Sequence, residues 1–372
     1  MSRRHAGAIL TIDLGAIVAN YRRLQSELAG VECAAVVKAN AYGLGVVHVA
    51  PVLERAGCRH FFVATFDEGV ELRGILDTET EIAVLNGLPP GAADDCRHHR
   101  LIPVLNSLAE IDEFAASART SGSSQPAILH CDTGMNRLGL EGSEVDVLAA
   151  TPGRLAGVEV RTIMSHLACA EEPDHPLNRD QLARFGRRLA GLPAAPASLA
   201  NSSGIFLGSD YHFQLARPGV ALYGANPTPG EPNPMREVVT LQARVLQVRD
   251  VDSPQTVGYG ATYRISSPRI IATIAMGYAD GFSRTLSIRG QVALGDTAVP
   301  VIGRVSADMS VIDVGEVDRE TCQRGDLVTV IGGRRTLEVV AAEAGTIAYE
   351  ILTRLGHRYE RIYRPVELAS TG

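Results

Sequence analysis

Residues 33–65 read CAAVVKANAYGLGVVHVAPVLERAGCRHFFVAT, and the order of textures in this stretch decides the fold. A short apolar run, CAAVVK (33–38), gives way to an amphipathic segment, HVAPVLERAG, and then to a second apolar run, HFFVAT (60–65). Apolar runs of this length bounded by turn residues are buried strands, and a helical segment between two of them makes a β/α unit with parallel strands. The pattern recurs in EIAVLNG (81–87), LIPVLN (101–106), AILHCD (127–132), GVEVRTIMSHL (157–167), ASLANS (197–202) and GVALYG (219–224), with stretches such as DQLARFGRRLAGL between them. Eight such units predict a (β/α)8 TIM-like barrel rather than an open sheet.

After about residue 235 the texture changes. LQARVLQVRDV, RIIATIAMGYA, QVALGD, AVPVIGRV, MSVIDV and DLVTVIG are strand-like and separated by Gly, Pro and Asp turns. This predicts a mostly antiparallel β domain. TPGEPNPMRE (228–237) reads as the linker, giving a barrel over 1–232 and a β domain over 233–372. AILTIDL (8–14) precedes the first barrel unit and is expected to join the β domain as an extra strand.

A net charge of −7 supplies no basic excess for a protein held to nucleic-acid phosphates. The six cysteines are scattered without a CxxC pair, which fits reduced thiols in the cytoplasm better than a disulfide framework or a zinc site, and no metal is expected. The start, MSRRHAGAILTIDLGAIVA, superficially resembles a signal peptide, but Asp13 interrupts the apolar run. Leu14, Ile17, Tyr21 and Leu24 mark one helical face with Asp13 as its N-cap. No run approaches the roughly 20 apolar residues of a membrane helix.

In such a barrel, functional side chains project from the C-terminal ends of the strands. Lys38 closes the first strand, Arg137 follows the fifth in CDTGMNRLG, His166 closes the sixth and Ser202 the seventh. Arg217 and Gly219 fall at the start of the eighth, in ARPGVALYG, so Arg217 is less well placed by this rule. Taken singly, each has an ordinary structural explanation: Lys38 a strand ending in water, Ser202 a helix cap, His166 a hydrogen-bonded core histidine, the arginines surface charges. Their convergence on one rim shifts the balance. A desolvated amine beside arginines has a depressed pKa and can form a Schiff base with an aldehyde, for which pyridoxal 5'-phosphate is the obvious candidate. NSSG, PGV and Tyr42 offer the hydroxyls and N–H groups that a phosphate wants. Gly43 and Gly45 are expected to let the loop pass close beside the cofactor.

Together AVVKANAYGLG, DTGMNRLG, SHL, ANSSG, ARPGVALYG, VGYGATY, MGYADG and GRVSADMS resemble the alanine racemases, in order and over nearly the whole chain. The resemblance implies a head-to-tail homodimer with shared active sites, acting on alanine, for cell-wall synthesis or alanine catabolism. Lys38 would hold pyridoxal 5'-phosphate and act as one base. Tyr42, Ser202, Gly219, Val220 and Tyr349 would bind the phosphate. His166 would flank the ring and orient Arg217, which would donate to the pyridine nitrogen; Arg137 would reach the phenolic oxygen. Tyr259 of the other copy would be the second acid/base, and Tyr278 would line the entrance.

Two positions depart from the family pattern. Many members have a carbamylated lysine where this chain has His130, so either Arg137 is held by His130, by water or by an anion, or His130 simply packs and contributes nothing to Arg137. Ala307 stands before Asp308 where methionine is usual; alanine keeps the backbone N–H that meets the substrate carboxylate but leaves extra room for serine or larger amino acids. A barrel-only cofactor carrier is disfavoured by the β domain with Tyr259. A decarboxylase is disfavoured by Arg217, which stands where an acidic residue would be needed.

Overall fold

The computed structural model of the protein describes residues 5–252 and 254–366. The chain divides into two compact units, one built from Ile17–Leu222 and Asn226–Arg236, the other from the segment ending at Ala16, Tyr223–Ala225 and the segment beginning at Glu237.

In the first unit, parallel strands follow one another in chain order: Ala35–Val36, His60–Val63, Glu81–Val84, Ile102–Leu105, Gln125–His130, Val158–Met164 and Ala197–Ser198. Ile102–Leu105 is buried at every position, as expected of a strand covered on both faces. The ring closes through Leu215–Ala216, which pairs in parallel with Glu32–Cys33, the segment leading through Ala34 into Ala35–Val36. On its other side Gln214 N donates to the Ala197 carbonyl at 3.0 Å and Arg217 N to the Ala200 carbonyl at 2.9 Å. The architecture is an eight-position β/α barrel.

The eighth strand corrects the expectation drawn from GVALYG. It lies at Leu215–Ala216, and Val220–Tyr223 is a single turn of 3-10 helix. Pro218 is the reason: it has no N–H to extend the ladder, so the buried apolar run beyond it coils instead. The shift of register puts Arg217 at the C-terminal end of a strand, where functional side chains of a barrel belong.

The second unit is an antiparallel barrel with an extension. Its spine is the long strand Val239–Val251, which slips register between Val245 and Gln247. Beyond the slip it pairs with Arg269–Ile274; before it, with Leu327–Ile331. Ser310–Asp313, Thr297–Ile302 and Gln291–Leu294 complete the circuit. Ala8–Asp13 lies antiparallel to Val239–Val251 and parallel to Glu360–Arg364. Its inward residues Ala8, Leu10 and Ile12 are buried and alternate with partly exposed ones, the period of a strand with one face in a core. Asp13 Oδ1 accepts from Ala16 N at 2.7 Å, capping the helix Leu14–Leu28. Among the described residues no helix is long and apolar enough to cross a membrane.

Candidate active site

Lys38, the sole lysine of the chain, follows the first barrel strand and opens an unusual turn. Ala39, Asn40, Ala41 and Tyr42 all have φ between 52° and 55°, a left-handed helical turn built from non-glycine residues, ended by Gly43 at φ 84°. Left-handed geometry costs an L-residue about 1–2 kcal/mol, so four in a row must be held from outside. Ala41 N donates to the Val37 carbonyl and Gly43 N to the Ala39 carbonyl, both at 2.8 Å. Asn40 Oδ1 accepts from Val46 N at 2.8 Å, fastening the turn to the helix Val46–Arg55. Gly43 and Gly45 therefore serve as turn residues at positive φ. Burial is the main reason the Lys38 amine is held below the ordinary lysine range; the Arg137 charge adds to it and Glu68 opposes it.

Arg217 is buried, 4% exposed, at the end of the eighth strand. Its guanidinium donates to Ser198 Oγ, to the Ser165 carbonyl at 2.6 Å and to His166 Nδ1 at 3.5 Å. Ser198 Oγ in turn donates to the Leu215 carbonyl at 2.5 Å. No carboxylate pairs with Arg217 among the described residues, and burial pulls its pKa down to about 9. Because Arg217 can only donate, the imidazole it meets must present an unprotonated Nδ1. Burial, then the charges of Arg217 and Arg137, hold His166 well below the usual histidine range. A polar brace fixes that loop: Gln181 Nε2 donates to the His166 carbonyl at 2.8 Å and to Thr133 Oγ1 at 3.2 Å, and Thr133 Oγ1 meets Ser165 Oγ at 2.7 Å.

Ser202 Oγ, buried, accepts from Gly219 N at 2.9 Å and from Ala221 N at 3.3 Å. The Tyr42 ring packs on the same spot: a Cβ added to Gly219 would sit 2.5 Å from Tyr42 Oη. Ser202, Gly219, Val220 and Tyr42 thus form a buried cluster of hydroxyls and backbone with no anionic side chain.

His130 ends the fifth strand and faces Asn106, which follows the fourth, with Nδ1 2.7 Å from Asn106 Oδ1. Asn106 Nδ2 donates to the Val104 carbonyl at 2.8 Å, so its oxygen is the atom turned to the ring. His130 therefore carries its proton on Nδ1 and leaves Nε2 as an acceptor. Burial first, then the charges of Arg217 and Arg137, push its pKa down to about 4. Arg137 itself is exposed and makes no hydrogen bond or ion pair to any described residue, His130 included. The loop geometry accounts for this: Asp132 Oδ1 accepts from Gly134 N at 2.9 Å, Met135 N at 3.0 Å and Asn136 N at 3.2 Å, curling DTGMN around itself.

These histidines set a pH dependence of stability. Both are neutral when folded and take up protons near pH 6.5 when unfolded. Above that pH they contribute no slope; below it the unfolded chain binds more protons, so stability falls as pH drops toward the folded values. For His130 the loss between pH 7 and pH 5 is about 2 kcal/mol. Urea midpoints at the two pH values measure it, and His130→Gln should remove that share of the slope. A wild-type midpoint that does not move between pH 7 and 5 contradicts the assignment.

Tyr259, Tyr278, Ala307 and Tyr349 belong to the β unit. Tyr259 tips the hairpin Gln255–Val257/Tyr263–Ile265 and is 73% exposed. Tyr278 N donates to the Ser306 carbonyl at 3.0 Å and Ala279 N to the Ala307 carbonyl at 2.9 Å, lacing the MGYADG turn to the Ala307 loop. Arg358 joins the same two segments, its Nε donating to Asp280 Oδ1 at 2.6 Å and a terminal nitrogen to Asp308 Oδ1 at 2.7 Å. Tyr349 lies on the helix Ala348–Thr353.

Sequence reasoning missed Ser165, Ser198 and Asn106. Asn106 carried a usable signal, a polar residue ending an apolar barrel strand; Ser165 and Ser198 carried none, since serine is ordinary at such places.

Residues 12–227 match the family model described as "Alanine racemase, N-terminal domain", and residues 238–363 match "Alanine racemase, C-terminal domain". A protein of Rhodospirillum rubrum named "Alanine racemase" is 49% identical over 98% of this chain and 98% of its own. "Alanine racemase, catabolic" of Mesorhizobium japonicum is also 49% identical, over 98% of this chain and 95% of its own. The solved alanine racemase of Bartonella henselae, with covalently bound pyridoxal phosphate, superposes with a TM-score of 0.94 at 45% identity, over 96% of this chain and 100% of that one. The chain belongs to the alanine racemase family.

Proposed function

We propose that this protein interconverts L-alanine and D-alanine using pyridoxal 5'-phosphate, through two bases on opposite faces of the substrate Cα. The observation that carries the proposal is the rim of the barrel, where a half-buried lysine turn, an arginine without a carboxylate partner among the described residues and a hydroxyl–amide cluster follow separate strand ends. The cofactor fits this donor set. Gly219 leaves space that a Cβ would fill against Tyr42, the Ser202 cluster suits a phosphate, and Arg217 offers N–H donors to a ring nitrogen. When bound, the cofactor supplies an aldehyde for the substrate amine and a ring that withdraws electrons from Cα.

The chain's own residues do the rest. Lys38, below the ordinary lysine range, holds the cofactor and moves a proton at one face of Cα. Tyr42, Ser202, Gly219, Val220 and Tyr349 hold the phosphate, and His166 flanks the ring while orienting Arg217. Arg217 donates a hydrogen bond without readily giving up a proton. Arg137 reaches the phenolic oxygen, and Tyr278 lines the entrance. Tyr259, supplied by a second copy in a homodimer, moves the proton at the other face; its high exposure on its own chain supports that role. Scattered, unpaired cysteines support a cytoplasmic location. The test is exchange of the α-proton of L-alanine in deuterated water together with formation of D-alanine. Cofactor-loaded protein that does neither overturns the proposal.

Ala307 sets the substrate range. Its N–H makes no hydrogen bond to a described residue and remains for a carboxylate, while its side chain fills less space than the family's usual methionine. Serine should be racemised, and Ala307→Met should lower the serine-to-alanine ratio of kcat/KM by about 10-fold or more. Strict alanine preference, identical in the two proteins, would sink this assignment.

A further inference from the structure

Ala39 N–H, the first donor of the left-handed turn, has no partner within the turn; it donates to Glu68 Oε1 at 2.7 Å. The other oxygen of that carboxylate, Oε2, accepts from Ala64 N at 2.8 Å and Thr65 N at 3.3 Å, at the end of the second strand. Glu68 also sits in the capping box of the helix Phe66–Arg73, its own N–H donating to Thr65 Oγ1 at 3.4 Å. One carboxylate thus joins the cap of one barrel helix to the strained turn that starts at Lys38, and among the described residues its two oxygens accept from backbone donors only.

We propose that Glu68 is a positioning residue for Lys38: its carboxylate staples the left-handed turn to the neighbouring strand end and supplies the negative charge that the Lys38 amine feels. A capping box needs only the Thr65 side; the bond to Ala39 is additional to it, and it falls on the residue immediately after the lysine. The charge matters as well as the reach. Burial and Arg137 both disfavour the ammonium form of Lys38, and among the described residues Glu68 is the carboxylate acting against them. Arginine or lysine partners would neutralise that charge, and none forms an ion pair with Glu68 among the described residues.

The inference rests on the racemase assignment for its kinetic consequence but not for its chemical one, and the test separates the two. Lys38 is the only lysine, so labelling of cofactor-free protein with an amine-directed acylating reagent, followed by peptide mass spectrometry, reports this amine alone. Removing an anion disfavours the ammonium, so in Glu68→Gln the pH midpoint of Lys38 labelling should move lower by about half a unit to one unit. Racemisation kcat/KM should fall about 10- to 100-fold, because misplacement of a reacting group by an ångström costs that order of rate. Glu68→Asp keeps the charge but is too short to span both sets of donors; its rate should fall while its labelling midpoint stays within about 0.2 units of wild type. Thr65→Ala breaks the helix cap without touching the Ala39 bond and should leave rate and labelling unchanged within about twofold. If wild type racemises alanine but Glu68→Gln matches Thr65→Ala in both readouts, Glu68 is only a helix cap and the proposal fails. If wild type does not racemise alanine yet the labelling midpoint moves, the racemase assignment fails and the link from Glu68 to Lys38 stands.

Discussion

Lys38→Ala is expected to abolish racemisation, lowering the rate by at least about 10³-fold, while leaving the fold in place. One amine performs two tasks in the proposed mechanism, fixing the cofactor and moving a proton at Cα, and each is worth orders of magnitude. The turn itself should survive: its bonds come from the backbone of Val37, Ala39 and Ala41 and from the Asn40 and Glu68 side chains, none of which involves the Lys38 amine. Alanine also already occupies positions 39 and 41 of the same turn. The measurement is α-proton exchange of L-alanine in deuterated water, run beside a circular dichroism melt. Exchange above about a tenth of the wild-type rate, in a variant that melts like wild type, would mean that another group does the chemistry.

Tyr259→Phe should lower racemisation by about 10²–10⁴-fold, the usual worth of a general acid–base group. The pattern of the loss is more informative than its size. With one base removed, one enantiomer should go on exchanging its α-proton while inversion stops; equal loss of exchange from both enantiomers argues against opposed bases. The exposure of Tyr259 on its own chain leads to a second readout. If the tyrosine completes the site of another copy, mixing Lys38→Ala protein with Tyr259→Phe protein and allowing subunits to reassort should restore about a quarter of wild-type activity. Half of the dimers are then mixed, and each mixed dimer holds one intact site. No recovery from demonstrably mixed dimers would place Tyr259 in the site of its own chain.

The β/α alternation was legible because barrel strands are buried on both faces and so stand out as unbroken apolar runs, as in Ile102–Leu105. The eighth strand was misplaced for the same reason: VALY is as apolar and as buried as a strand, and only Pro218 marks the point where pairing must stop. The candidate site was legible where chemistry is rare, at Lys38, His166 and Arg217, which stand at or just after barrel strand ends. It was illegible where conformation is set at a distance. Little in ANAY announces a left-handed turn, since alanine and tyrosine favour other geometry and asparagine enters the left-handed region only as a single residue. The turn exists because Asn40 and Glu68, the latter far along the chain, supply acceptors that no local pattern displays. The environment of His130 was equally hidden, because its tautomer follows from how Asn106 is anchored to the Val104 carbonyl.

The strand Ala8–Asp13 has a consequence for biogenesis. Its two neighbours are Val239–Val251 and Glu360–Arg364, so this strand leaves the ribosome long before the last of its partners is made. At about 5–20 residues per second, synthesis of the intervening chain takes roughly 20–70 s. Throughout that interval at least one edge of this amphipathic strand lacks its partner, a template for wrong pairing. The β/α units, whose strands pair with sequence neighbours, can close meanwhile, because local contacts form fastest. The nascent chain should therefore depend most on chaperones late in translation, and a bulky N-terminal fusion should slow the last step of maturation rather than the first.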